Sequence, residues 1–371
     1  MKSNWKTCQL DELVTFTSGG TPSKKKAEYW NGSIPWISAK TMKDEHISTS
    51  DLMISEEGLK NGSRLAPQGS ILFLIRGSGL FNGIPICLVD KPVAFNQDVK
   101  CINSISEIEN KYVFYWLLSQ ASTLSAIVGV TTIGAGKFDM DVIKRLEISY
   151  PEKEVRNEII RIADAIFDKI RLNTAINENL ESQAQAIYQS MFISTHHETD
   201  RMGLLSELIT VKYGKDHKKL NDGIYPVYGS GGIMRYVEKP IYEKESVLIP
   251  RKGSLNNVMY VDEPFWSVDT MFYTEMKMPN AAKYVFHFVK SKDLASLNAG
   301  SAVPSMTTDI LNSMEVRIPS MERLAEFEEL VAPLYRTIKG NICQSASLAS
   351  LRDTLLPKLM NGEIDVSEVK I

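Results

Sequence analysis

The sequence predicts a mixed α/β (α+β) protein with a pseudo-two-fold internal repeat. Two compact domains alternate with two long helices that pair as an antiparallel coiled coil. Three observations carry this expectation. The chain is written twice, each copy opens on short apolar runs of strand length, and each copy closes on an apolar stripe of helical period. A chain of 371 residues has room for two such domains with cores of their own.

The repeat is read segment by segment. "LDELVTFTSG" (Leu10 to Gly19) returns as "LSELITVKYG" (Leu205 to Gly214), and "AFNQDV" (ending at Val99) as "FWSVDT" (ending at Thr270), which sets Asp98 opposite Asp269. "KYVFYWL" from Lys111 answers "KYVFHFV" from Lys283, and "DVIKRLEISYP" from Asp141 answers "DILNSMEVRIP" from Asp309. A period this long means duplicated domains rather than a solenoid. Within each copy, "SILFLI" (Ser70 to Ile75) and "SVLIP" (Ser246 to Pro250) read as buried strands bounded by Gly, Pro and Asn clusters.

After Pro151, apolar residues fall at Val155, Ile159, Ile162, Ile166, Ile170, Ile176, Leu180, Ala184, Ile187 and Met191. That is a single helical stripe, where the average globular helix runs ~10–14 residues. After Pro319 the stripe returns through Phe327, Leu330, Leu334, Ile338, Leu348, Leu355 and Leu359. Asn173 and Asn341 hold equivalent stripe positions. They are either a polar layer that fixes helix register or a pair of partly exposed side chains. The expected domains are 1–152, a long spacer helix 153–195, a second domain 196–320 and a second long helix 321–371.

Composition excludes some classes. Four scattered cysteines, none in C-x-x-C, read as reduced thiols. The sequence shows neither a signal-peptide pattern nor an apolar run of membrane length, so the expected compartment is the cytoplasm. The net charge of −3 is uneven: residues 1–150 carry +1, 151–200 carry −4, 201–320 carry +2 and 321–371 carry −2. The acidity sits in the helices and leaves the domains free to carry basic loops. Catalytic signatures fail. "GSGLFNG" (Gly77 to Gly83) places its last glycine one residue late for a dinucleotide turn, and "GVTTIGAGKF" lacks the Ser or Thr a P-loop needs after Lys137. No cofactor is expected.

"SGGTPS", "YW" and "IPWIS" (Ser18 to Ser38) resemble the start of a target-recognition domain in specificity subunits of type I restriction-modification enzymes. "YPVYGSGG" (Tyr225 to Gly232) resembles another class of such domains, and "LRDTLLPKLMNGEIDV" (Leu351 to Val366) resembles the family's C-terminal helix end. The resemblance implies a non-catalytic subunit in which two target-recognition domains read a bipartite, asymmetric site in double-stranded DNA. It also implies docking of two modification (methyltransferase) subunits, joined by restriction (translocase-nuclease) subunits. A duplicated-domain interaction scaffold, or the recognition half of a fused methyltransferase, are the alternatives.

Basic loops follow the first repeated strand in both copies: Lys24, Lys25 and Lys26 in one, Lys215, His217, Lys218 and Lys219 in the other. Such loops suit phosphate contacts, which position without reading sequence; the other reading is a solvated charge run. "IRGSGLFNG" and "PRKGSLNN" both follow a buried strand, which makes Arg76, Ser78, Arg251, Lys252 and Asn256 candidates for base edges in the major groove. Lys137, Tyr228 and Ser230 are further loop candidates. Trp30 and Trp36 read as core rather than as base-stacking platforms.

Overall fold

The computed structural model describes residues 5–132, 134–195, 197–297 and 305–369. In the first copy the principal strands are β1 (Lys6–Gln9), β2 (Val14–Ser18), β3 (Ile34–Ile37), β4 (His46–Ile47), β5 (Ile71–Leu74), β6 (Ile86–Val89), β7 (Val93–Phe95) and β8 (Val99–Ser104). Helix α1 (Asn110–Ser119) and β9 (Glu147–Tyr150) follow, then helix α2 (Lys153–Tyr188). The second copy runs β10 (Arg201–Leu204), β11 (Ile209–Tyr213), β12 (Asp222–Gly229), β13 (Gly232–Val237), β14 (Ser246–Pro250), β15 (Met259–Val261), β16 (Trp266–Ser267) and β17 (Met271–Met276). Helix α3 (Ala282–Lys290), β18 (Glu315–Ile318) and helix α4 (Met321–Met360) complete it.

Contacts divide the chain into two compact units, residues 1–172 with 344–371 and residues 173–343. Each unit takes part of both long helices. The main sheet of the first has the order β2-β8-β5-β6-β4, that of the second β11-β17-β14-β15. In both, the opening strand pairs antiparallel with the strand that leads into the buried helix, and the chain start pairs with the strand before the long helix, β1 with β9 and β10 with β18. The duplicated sequence therefore folds into duplicated topology.

Shared side-chain anchors explain why these segments repeat. Tyr112 in α1 donates its hydroxyl to the carbonyl of Ser149, 3.1 Å away, and Tyr284 in α3 does the same to Arg317. Each bond ties the buried helix to the strand before the long helix, and burial pushes both phenols well above their ordinary range. Glu12 accepts the backbone N–H of Gln9 at 2.8 Å, and Glu207 that of Leu204 at 2.9 Å, so both "L-x-E-L" turns close alike.

The long helices are 36 and 40 residues. In the first unit Ile159, Ile162, Ala163 and Phe167 of α2 share a core with Leu356, Leu359 and Met360 of α4. In the second, Asn177 meets Asn341 and Tyr188 meets Phe327, so numbers rise on one helix as they fall on the other and the pairing is antiparallel. Asn173 is buried and donates to the Asn341 carbonyl at 3.4 Å, while half-buried Asn341 donates to Asn177 at 2.8 Å. The polar layer exists, with Asn177 as its third member. Trp36 is core and meets Trp30 edge-on at 5.1 Å.

Two glycines at the same repeat position have the same cause. A Cβ on Gly19 would fall 2.1 Å from the Phe95 carbonyl oxygen, and one on Gly214 2.0 Å from that of Val268. Gly340, exposed in the middle of α4, has nothing within 4 Å of an added Cβ. Gly19→Ala and Gly214→Ala are each expected to cost about 2 kcal/mol or more through forced backbone shifts. Gly340→Ala is expected to gain about 1 kcal/mol from helix propensity. Thermal melts of the three variants check the signs.

His287 lies in the second core, its Nδ1 2.7 Å from Gln185 Oε1 and its Nε2 2.9 Å from the Tyr335 hydroxyl. Burial, then the nearby Lys290, lowers its pKa from 6.5 to about 4. Between those values the unfolded chain takes up a proton that the folded chain refuses. This contribution is complete above pH 6.5 and falls as pH drops toward 4. Replacing His287 with Gln should shrink the loss of stability between pH 7 and pH 5 by about 2 kcal/mol, read as the difference between urea melts of the two proteins.

Candidate nucleic-acid interface

The basic loops of each copy are gathered at one end of the main sheet by a single turn. In the first copy that turn is Phe95–Asp98. Gly20 donates to Phe95 O at 2.9 Å and Thr21 Oγ1 to Gln97 Oε1 at 2.7 Å, which moors the lysine loop. Ile75 donates to Asp98 O at 2.8 Å, which moors the segment carrying Arg76. The Trp36 indole locks the loop from below through Gly20 O at 3.0 Å. Lys24, Lys25 and Lys26 are all exposed, and Lys26 lies 4.8 Å over the Tyr29 ring and bonds its hydroxyl at 2.9 Å, which raises its pKa.

The second copy repeats this mooring. Lys215 donates to Ser267 O at 2.8 Å and receives the Trp266 indole on its own carbonyl at 2.8 Å. Lys215, Lys218 and Lys219 are exposed and His217 is half-buried. Asp216 accepts the Lys218 N–H at 3.0 Å, which lowers its pKa and shapes the turn.

Arg76 and Lys137, distant in sequence, are cross-strand partners: Arg76–Gly77 pairs antiparallel with Gly136–Lys137. Both side chains are exposed, as is Ser78 beside them. Two cations opposite one another repel, so an anion between them relieves a cost already present.

Backbone register aligns the copies differently from the letters. Phe138 donates to Ile75 O and Met306 to Arg251 O, both at 3.0 Å, which makes Arg251 the counterpart of Ile75 and Lys252 that of Arg76. By the same pairing Asp98 faces Thr270 rather than Asp269, because Ile75 donates to Asp98 O where Arg251 donates to Thr270 O. Arg251 is accordingly half-buried, 5.4 Å over the Tyr213 ring, with Nη1 on Asp269 O at 3.3 Å. Lys252 is the exposed cation. Glycines Gly77 and Gly253 follow, at φ +146° and +86°, a backbone that side chains rarely adopt.

The remaining candidates are engaged within the fold. Asn256 donates to Asp293 Oδ1 and accepts from the Ala295 N–H, both at 3.0 Å. The Tyr228 hydroxyl meets Glu263 Oε1 at 3.4 Å, and burial followed by that carboxylate drives its pKa far up. The Ser230 carbonyl accepts from Asn257 at 2.8 Å. Sequence reasoning missed Lys40. It is exposed in the turn after β3, next to Ala39, whose Cβ is 3.7 Å from where a Cβ on Gly77 would stand. Its signal was the match between "IPWISAK" and "YPVYGSG", which puts Lys40 opposite Gly231.

No group of three or more His, Cys, Asp or Glu side chains suited to a metal occurs among the described residues, and none of their helices is long and apolar enough to cross a membrane. What recurs is a pair of similar α/β domains, each presenting cations from the same backbone positions and each borne on long helices. That defines the class: a duplicated α/β protein with a basic loop edge on each copy.

The chain belongs to the type I restriction modification DNA specificity family, whose model matches residues 2–182 and 202–338. It is similar to the MjaIX specificity subunit of Methanocaldococcus jannaschii, at 24% identity over 99% of this chain and 95% of that one. It also resembles the EcoprrI specificity subunit of Escherichia coli, at 26% identity over 85% and 83%. The EcoR124I/EcoR124II specificity subunit of Escherichia coli matches at 33% identity over 49% of this chain and 44% of that one. The crystal structure of the type I S subunit from M. genitalium shares the fold, with TM-score 0.57 and 20% identity over 96% of each chain. The protein is thus a type I specificity subunit with two target-recognition domains, a non-catalytic component.

Asn256→Ala should lower the melting temperature by removing two loop bonds, about 1 kcal/mol each. Lys252→Ala, whose cation makes no ion pair among the described residues, should leave it unchanged. Differential scanning fluorimetry separates the two.

Proposed function

We propose that the chain directs a type I restriction-modification complex to a bipartite, asymmetric sequence in double-stranded DNA, with one half-site read by each domain. In this reading modification subunits dock on it, restriction subunits join them, and the assembly works in the cytoplasm. The observation that carries the reading is the shared backbone position of Arg76 and Lys252, exposed at the same rim of two otherwise different domains. Equal scaffolds with unequal rims suit two unlike half-sites. In the first domain Lys40 and Lys137 flank the rim cation; in the second Ser230 of the β12–β13 tip lies beside Gly253, and Ser305 pairs with Lys252. Lys24, Lys25, Lys215, Lys218 and Lys219 serve as phosphate contacts on the adjoining loops.

The test is modified-site mapping in cells that carry the chain with its modification subunit. Arg76→Ala should relax preference in one half-site and Lys252→Ala in the other, by ~1–3 kcal/mol for a base contact. Alanine at Lys24, Lys25 and Lys26 together should weaken binding to all sequences alike. It should also flatten the log-affinity against log-salt slope by about 0.9 for each phosphate no longer neutralised. Unchanged half-sites in both single variants would refute the assignment of the rim.

A further inference from the structure

The two main sheets differ at one edge. In the first copy the short strand β4 runs parallel to β6: Leu88 donates to Glu45 O at 2.8 Å and Asp90 to Ile47 O at 2.9 Å. Ile47 is buried there, and His46 lies 2.8 Å from Asp90 and edge-on to Phe114 at 6.3 Å. Arg171 of α2 reaches the other oxygen of Asp90 at 3.5 Å. Four residues around β4 have counterparts in the second copy. Asp262 stands for Asp90, Tyr260 for Leu88, Phe286 for Phe114, and Lys339, 2.7 Å from Asp262, for Arg171. The counterpart of β4 itself is missing. β15 ends the second sheet, and no strand pairs with its outer edge among the described residues. In its place is a groove of about 460 Å³ lined by Tyr260, Asp262, Phe286, Tyr335, Ile338 and Lys339.

An open edge strand offers unpaired N–H and C=O groups and is a template for another chain. The first copy shows what fits such a template, because its own β4 is seated on the equivalent one. We propose that the edge of β15 is a strand-acceptor site that takes an extended segment of a partner polypeptide running parallel to it. That segment carries an imidazole or cationic side chain beside Asp262, as His46 lies beside Asp90. A β-branched apolar residue follows it on the other face of the added strand and packs beside Val261, as Ile47 lies beside Val89 in the first copy. Backbone bonds supply the affinity and these two side chains the selectivity. The proposal does not depend on the DNA reading.

The chain's own Lys43–Ser50 sequence, made as a fluorescent peptide, is the probe. It should bind the full-length protein saturably, and Ile47→Asp within the peptide should weaken binding about tenfold or more. That change leaves the protein untouched, so misfolding cannot mimic it. Asp262→Ala in the protein should also weaken binding. Cys343 lines the groove and is the exposed cysteine of the four; its alkylation, followed by mass spectrometry, should slow when the peptide is present. Failure to saturate, indifference to Ile47→Asp, or full reactivity of Cys343 at saturating peptide would each overturn the site. A peptide-sensitive dimer in sedimentation would assign the groove to a second copy of this chain and overturn the choice of a partner polypeptide.

Discussion

The arrangement of both rims depends on a backbone contact with no room for a side chain. Gly19 and Gly214 each follow the opening strand directly and lie against a carbonyl of one turn, the last carbonyl of β7 or the first one after β16. The contact lets the next residue, Gly20 or Lys215, hydrogen-bond to that turn, with a tryptophan indole closing from the other side. The same turn holds the segment after the buried central strand. One steric requirement thereby brings loops from three parts of the sequence to one end of the sheet, where strand geometry alone would leave them independent. Rigid elements with recognition groups on their connecting loops are how a scaffold supports varied specificity.

Charge follows from how the acids are used. With 42 basic and 45 acidic residues the chain is mildly acidic overall. Many carboxylates are engaged inside each unit. Asp164 takes Lys111 and Tyr115, Glu328 takes Lys283, Glu109 takes buried Arg156, and Asp200 takes Arg323. Arg156 also donates to the carbonyls of Pro151 and Glu107, so its burial comes with a full set of partners. Arg76, Lys137 and Lys252 have no such partners among the described residues. Their field is therefore felt outside the protein, and the sign of the sum is a poor guide to the sign of the rim.

The duplication, the buried strands and both long helices were legible because each leaves a periodic or repeated mark in the letters. The long α2 stripe predicted a helix through about Met191, and regular α-helix runs to Tyr188 before a wider turn takes over. The alignment of the loops was not legible. Arginine matched to arginine is chemically attractive, yet Arg251 sits where Ile75 does, because register is set by backbone bonds that any residue can make. Asn256 had the right chemistry for adenine, but its amide is occupied by Asp293, 37 residues away. Likewise nothing in the letters ties Tyr228 to Glu263, or Arg76 to Lys137. Such pairs arise from tertiary placement, and one sequence carries no trace of them.

Divergence between the copies is confined to what the shared scaffold leaves free. The glycine contact, the tyrosine anchors and the glutamate-closed turns are each satisfied twice, once within each unit. The connection between β3 and β5 is under no such constraint. In one copy it contributes β4 and a helix over Glu56–Gly62; in the other, β13 and a glycine-rich tip. β4 also covers a sheet edge in the first copy, so the two copies differ at the rim and at that edge together. The loop beside the rim and the cover of the sheet edge belong to one segment, so a change in that segment alters both without touching the core.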